Sequence, residues 1–297
     1  MSQVETLLAA AGSAARDESA SPAERAQMLM ELAMGLQRRP KTAQHLSAAL
    51  SLYDEALGLC PAEDALLAAR LAARRATALQ AMPGEGSAPI EEARAAYEAV
   101  IPVLARLGGP AELAEAEMNL GLCLQHLAGA GRARIGEAIA AYQRALRTFD
   151  AKRYPAEFAI LQSNLATAFL SMSSPLREAL AVQCFEEGLK AVSLVEHPVE
   201  YAMLQNNLGN ALQSIASSHA LENHVRALAA YDEALKVRTR AARPVEYANT
   251  LANRANCLWT LGRADEAQTA YAEAQELFEA HGELDKARAV AEAMRGA

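Results

Sequence analysis

The chain has 297 residues, of which 52% are hydrophobic, only 5% are aromatic and 70 are alanine. Strand-forming residues are too scarce for a β-sandwich or barrel, so the composition specifies an all-α fold. A formal charge of -8 with no block of Lys or Arg removes the phosphate-neutralising basis of general nucleic-acid binding.

Charges interrupt the apolar stretches well before the roughly 20 residues needed to cross a bilayer, so no membrane partner is expected. The N-terminus carries Glu5 and no early Lys or Arg, unlike a secretory leader. Ser2 with Glu5 has the pattern of a capping box opening a short helix, and residues 1–21 read as an N-terminal capping segment. Cys60, Cys123, Cys184 and Cys257 are widely spaced with no CxxC pair, which fits neither a zinc site nor a disulfide framework. A reducing, cytoplasmic location is the expectation.

From Pro22 onward the chain repeats. Helix starts of the form P-x-E recur at Pro22, Pro61, Pro110, Pro155, Pro198 and Pro244, with spacings of 39, 49, 45, 43 and 46 residues. The last three extend to P-x-E-[YF]-A. Proline is tolerated in the first helical turn, and a glutamate two residues later meets the positive end of the helix dipole. These signals predict six A helices over 23–37, 62–81, 110–127, 155–172, 198–216 and 244–261. Turn-rich segments at 82–88, 128–132, 173–175, 217–219 and 262–263 separate helices. B helices are predicted over 41–59, 89–107, 133–150, 176–194, 221–240 and 264–280. Each B helix carries a ring at one matching position, Tyr53, Tyr97, Tyr142, Phe185, Tyr231 or Tyr271, four residues after an alanine. The small residues let a neighbouring helix approach and the ring fills the space between helices. A last helix over 283–295, within residues 282–297, caps the sixth unit.

The N-L-G-x-A-L of Asn207 to Leu212, followed by A-x-x-x-Y-x-x-A-L from Ala227 to Leu235, resembles the tetratricopeptide repeat, or TPR. His197 to Leu212 is similar to the longer-repeat subclass of kinesin light chains and bacterial signalling arrays. The resemblance covers residues 22–281 and is stronger in the last four units. It implies a right-handed superhelical solenoid of six hairpins with terminal capping helices, A helices lining the inner surface, and a protein or extended peptide segment as partner.

Nine residues after the proline stand Asn119, Asn164, Asn207 and Asn253. Asparagine is a mediocre helix-interior residue, so its fourfold recurrence calls for a compensating interaction. Its amide offers donor and acceptor together, the pair that grips an extended peptide backbone. The matching asparagines of the resembled family hold ligand backbone, which the resemblance carries to these four positions. Alternatively, each amide bonds a neighbouring helix and never meets a ligand. Asn206, Asn210, Asn249 and Asn256 thicken the ladder, and Gln125, Thr167 and Gln213 extend the same face. Asn207→Ala together with Asn253→Ala is expected to weaken capture with melting unchanged.

The first two units depart from the pattern, with Glu31 and Arg70 at the ladder position. Arg70, Arg74 and Arg75 form a basic spot, either a contact for an acidic group of a partner or a solvated helix face. Arg254 replaces the motif's buried leucine, and either snorkels or pairs with a carboxylate. No HExxH, phosphate loop or G-x-S-x-G elbow is present. The sequence therefore predicts a non-catalytic scaffold or adaptor without metal or cofactor, with a self-associating structural protein, a homo-oligomer, as the alternative and an enzyme or small-molecule carrier as a third reading.

Overall fold

The computed structural model describes residues 15–38, 42–84, 86–172, 174–215 and 219–296, together with Thr6, Ala9 and 11–13. The expected Ser2–Glu5 capping box, and Glu85, Ser173, Ser217 and Ser218 of the turns, lie outside these residues. Every regular element among the described residues is a helix. The chain folds as two compact units, residues 1–148 and 149–297.

The first unit holds α1 (Pro22–Arg38), α2 (Ala43–Leu59), α3 (Ala65–Gln80), α4 (Ala88–Leu107), α5 (Pro110–Gly129) and α6 (Ile135–Ala145). The second holds α7 (Pro155–Leu170), α8 (Pro175–Ala191), α9 (Pro198–Ser214), α10 (Ala220–Leu235), α11 (Pro244–Thr260), α12 (Ala264–Ala280) and α13 (Leu284–Gly296). Within each unit the helices pair as three successive hairpins, and α13 packs on α12 at the end of the second unit.

Local chemistry sets these boundaries. Proline occupies the first helical position of α1, α5, α7, α9 and α11, where its missing N–H costs no intrahelical bond. In α1 and α5 the following glutamate reaches back to the chain before the helix: Ser21 N–H donates to Glu24 at 2.7 Å and Gly109 N–H to Glu112 at 2.8 Å. Pro61 behaves differently. It lies in the preceding turn, and α3 starts at Ala65 because Asp64 caps it, accepting from Leu67 N–H at 3.0 Å. The helix ends after α11 and α12 use glycine in the left-handed region, Gly262 at φ 75° and Gly282 at φ 76°. There the next residue's N–H closes a six-residue ring, Arg263 to Leu258 O at 2.9 Å and Glu283 to Phe278 O at 2.8 Å. Helices α6 and α10 stop about five residues before their predicted ends. The chain tightens there into i→i+3 bonds, such as Arg147 N–H to Arg144 O and Val237 N–H to Ala234 O.

The six B-helix rings are buried at 3% exposure or less, and the alanines four residues before them are fully buried. Close approach is most demanding at Gly121 and Gly209. A Cβ there would stand 2.4 Å from the Tyr142 ring and 2.6 Å from the Tyr231 ring. The N-L-G of the repeat is thus the seat of the partner helix's tyrosine. Two B-helix aspartates that follow such a tyrosine, Asp54 and Asp232, pair at 2.6 Å with Arg75 and Arg254 of the next A helix. Arg254, standing where the repeat has leucine, therefore pairs with a carboxylate.

Candidate functional site

In four of the six hairpins the tyrosine hydroxyl marks the register of the A helix. Tyr53 donates to Gln37 at 2.8 Å, Tyr142 to Gln125 at 2.8 Å and Tyr97 to Gln80 at 3.3 Å, while Gln213 donates to Tyr231 at 2.5 Å. Gln37, Gln125 and Gln213 lie fifteen residues after the helix-opening proline; Gln80 lies fifteen after Ala65. In the second hairpin the ladder position therefore falls on Arg74, not Arg70. This corrects the register inferred from Pro61, and the four-residue shift is the turn that Asp64 caps.

Two of these glutamines also join successive A helices. Gln80 donates to the Asn119 carbonyl at 2.8 Å, and Gln213 to the Asn253 carbonyl at 3.1 Å. A helical carbonyl has a second lone pair, so it accepts this bond without losing its own helix bond. Residue-by-residue reading passed over these staples, although the glutamine recurs at one repeat position. The sixth A helix, α11, has Trp259 there, and α7 has Leu170.

Between α3 and α5 the A-helix face of the first unit is charged, and its ion pairs are satisfied internally. Arg70 forms two bonds to Glu112, at 2.6 and 3.2 Å, and Arg74 two to Glu115, at 2.6 and 3.3 Å. These pairs roof a slot of about 30 Å³ that reaches Thr77, Tyr97 and Asn119. The hydrogen bonds from Arg70 hold the Glu112 carboxyl below its usual range, helped by the Gly109 N–H. An acidic group of a partner would have to displace these glutamates from Arg70 and Arg74. Asn119 is 8% exposed. Gln125 accepts the Tyr142 hydroxyl. Wider clefts of about 650 and 300 Å³ lie beside α1; Met28, Met30, Glu31 and Leu67 line the first, Met34 and Arg38 the second.

In the second unit the amides divide into two groups. Asn207 donates to Ser163 Oγ at 3.2 Å, Asn206 to Asn207 Oδ1 at 3.1 Å, Thr250 to Asn206 Oδ1 at 3.1 Å, and Arg238 to Thr250 Oγ1 at 2.9 Å. This chain of bonds ties α7 to α9 and α9 to α11 through buried Ser163, Asn206 and Thr250. Asn210 and Asn256 accept the hydroxyls of Tyr231 and Tyr271, at 2.7 and 2.5 Å. Thr167 is exposed and donates to the Ser163 carbonyl at 3.0 Å. Asn164 Nδ2 is buried without a hydrogen-bond partner among the described residues.

Asn249 and Asn253 form the second group. Both are half-buried, and neither side-chain amide is hydrogen-bonded to a described residue. They line a cleft of about 220 Å³ between α11 and α13, with Asn256 on the same wall. Tyr271 and Phe278 of α12 form its floor, and Ala289, Val290 and Ala293 of α13 the facing wall. Lys286 at its margin pairs with Glu283 at 3.0 Å and lies 5.8 Å over the Phe278 ring. Helices α11 and α13 exchange no hydrogen bond among the described residues.

Burial pushes the Cys123 and Cys184 thiols up to about 11, which keeps them protonated and poorly nucleophilic at neutral pH. Among the described residues no three His, Cys, Asp or Glu groups are placed to hold a metal ion. No helix is long and apolar enough to cross a membrane, again among the described residues.

No family model and no curated protein sequence matches the chain. Solved structures do. The C-terminal part of a TPR repeat-containing protein from Cytophaga hutchinsonii aligns at 16% identity over 85% of this chain and 80% of that part, with a TM-score of 0.51. The fold is TPR-like. The quorum sensor NprR from B. thuringiensis, in its apo form, matches at 14% identity over 90% of this chain and 69% of its own, with a TM-score of 0.69. NprR in complex with its cognate peptide NprX matches at 15% identity and a TM-score of 0.56, over 86% and 69% of the two chains. BtubC from P. vanneervenii matches at 17% identity and a TM-score of 0.62, over 82% of this TPR-like chain and 93% of its own.

Proposed function

We propose that this protein is a non-catalytic scaffold that holds an extended segment of a partner protein against the A-helix face of residues 149–297, with Asn249 and Asn253 gripping the partner's backbone. The observation that carries this reading is the pair of unbonded amides one helical turn apart in a cleft. An amide that no group of the protein engages keeps its donors and its acceptor for a peptide C=O and N–H. Asn206 and Asn207 serve the fold instead, holding α7, α9 and α11 together. The TPR-like fold supports the general reading, as does the peptide complex formed by NprR, a protein of similar fold.

A displayed library of random twelve-residue peptides, selected on the full chain, tests it. Selected peptides are expected to lose roughly tenfold or more in affinity on Asn249→Ala with Asn253→Ala, since two hydrogen bonds of about 1 kcal/mol each are removed. Unchanged affinity on that variant rules the reading out.

A further inference from the structure

The proposed backbone grip leaves open what else the α11–α13 cleft reads. We infer that it is an anchor pocket for one uncharged, apolar side chain of the bound segment; this rests on the reading that Asn249 and Asn253 hold that segment's backbone.

Three observations converge. The first is that this gap is open where others are tied. In the same unit Gln213 staples α9 to α11 and the Ser163–Asn207 bond joins α7 to α9, whereas α11 has Trp259 at the staple position and exchanges no hydrogen bond with α13 among the described residues. The second is shape. Helix α13 stands beside α11, but Ala289 and Ala293 supply only methyl groups to the shared space. Short side chains on the α13 wall leave about 220 Å³ above the Phe278 and Tyr271 rings. The volume suits one side chain with its stretch of backbone, and is below the range typical of a whole small-molecule ligand.

The third is charge. Among the described residues lining the cleft Lys286 alone is charged, and Glu283 together with the Phe278 ring already engages its ammonium. A charged side chain entering here would lose hydration without gaining a free counterion. An apolar side chain meets the hydrocarbon of Ala289, Val290 and Ala293 above the buried Phe278 and Tyr271, with Asn249 and Asn253 on the opposite wall for its backbone. Polarity on one wall and hydrocarbon on the other two surfaces match the two sides of an extended peptide, whose backbone and side chain must be satisfied separately.

The same peptide selection decides this, read for sequence and repeated on Ala289→Leu. Ala289 is exposed on α13, so the larger side chain fills the pocket mouth without entering the core. The expected result is one recurring apolar position among selected peptides, with at least a tenfold loss of their affinity on Ala289→Leu and an unchanged melting temperature. Peptides that depend on Asn249 and Asn253 but show no apolar anchor, or bind Ala289→Leu equally, overturn the pocket and leave the backbone grip standing. Peptides indifferent to the two asparagines, or a library that yields no binder, overturn both.

Discussion

On the first unit's A helices, Arg70 and Arg74 are held by Glu112 and Glu115; the second unit's A helices carry Asn206, Asn207, Asn249 and Asn253 instead. Both faces rest on the same hairpin, with a buried tyrosine whose hydroxyl meets the glutamine fifteen residues into an A helix. The difference lies in what crosses from one A helix to the next. Ion pairs with both partners partly exposed join α3 to α5, whereas a buried run of amides and hydroxyls joins α7, α9 and α11. Exposed ion pairs are weak and screened by salt. Buried hydrogen bonds contribute modestly when made and cost more when half-broken. Repeat architecture is therefore shared while the means of coupling is local.

The sharpest way to break this contrast is Thr250→Val. It removes the hydroxyl between Arg238 and Asn206 and leaves both short of a partner, at a cost of about 1–3 kcal/mol that added salt does not change. Chemical denaturation at two ionic strengths reads this directly. Gly209→Ala and Gly121→Ala sharpen what the units have in common. Each drives a methyl group into a tyrosine ring, and overpacking of about 1–3 kcal/mol outweighs a helix-propensity gain of about 1 kcal/mol. Similar losses in both halves would establish the shared hairpin; a gain at either site would refute the close fit. Arg74→Ala is the first unit's counterpart to Thr250→Val. It should cost only about 0.2–1 kcal/mol, and that cost should shrink in high salt.

The smallest effect is acid sensitivity at Glu112. Its carboxyl is held below an ordinary value of 4.5, so the stabilisation is complete above about pH 4.5 and is lost as pH falls through the depressed folded value. Melting of Arg70→Gln should accordingly be less steep in pH below that point than wild type, and equal slopes would dissociate the shift from the Arg70 pair.

The hairpins, their order and the ring in each B helix were legible because they depend on spacing, and spacing is written into the chain. Pro61 misled because a helix can start later when a better cap, Asp64, follows the proline. The asparagine ladder was legible as a pattern but not as a function. Asn207 and Asn253 occupy one repeat position, yet Asn207 donates to Ser163 while the Asn253 side chain is free. That difference depends on which residue a neighbouring helix presents, information that lies about 40 residues away. It also revises the expected behaviour of Asn207→Ala, which should lower stability as well as any binding. The cleft beside α13 was invisible because it is made by what Ala289 and Ala293 lack.

The division of the ladder is tested most directly by one crossed measurement. Melting temperature and affinity for a selected peptide are compared between Asn249→Ala with Asn253→Ala and Asn206→Ala with Asn207→Ala. The first variant is predicted to lose binding and keep its melting temperature, while the second melts earlier by the equivalent of about 1–3 kcal/mol. A first variant that keeps its affinity, or a second that melts like wild type, would contradict the account.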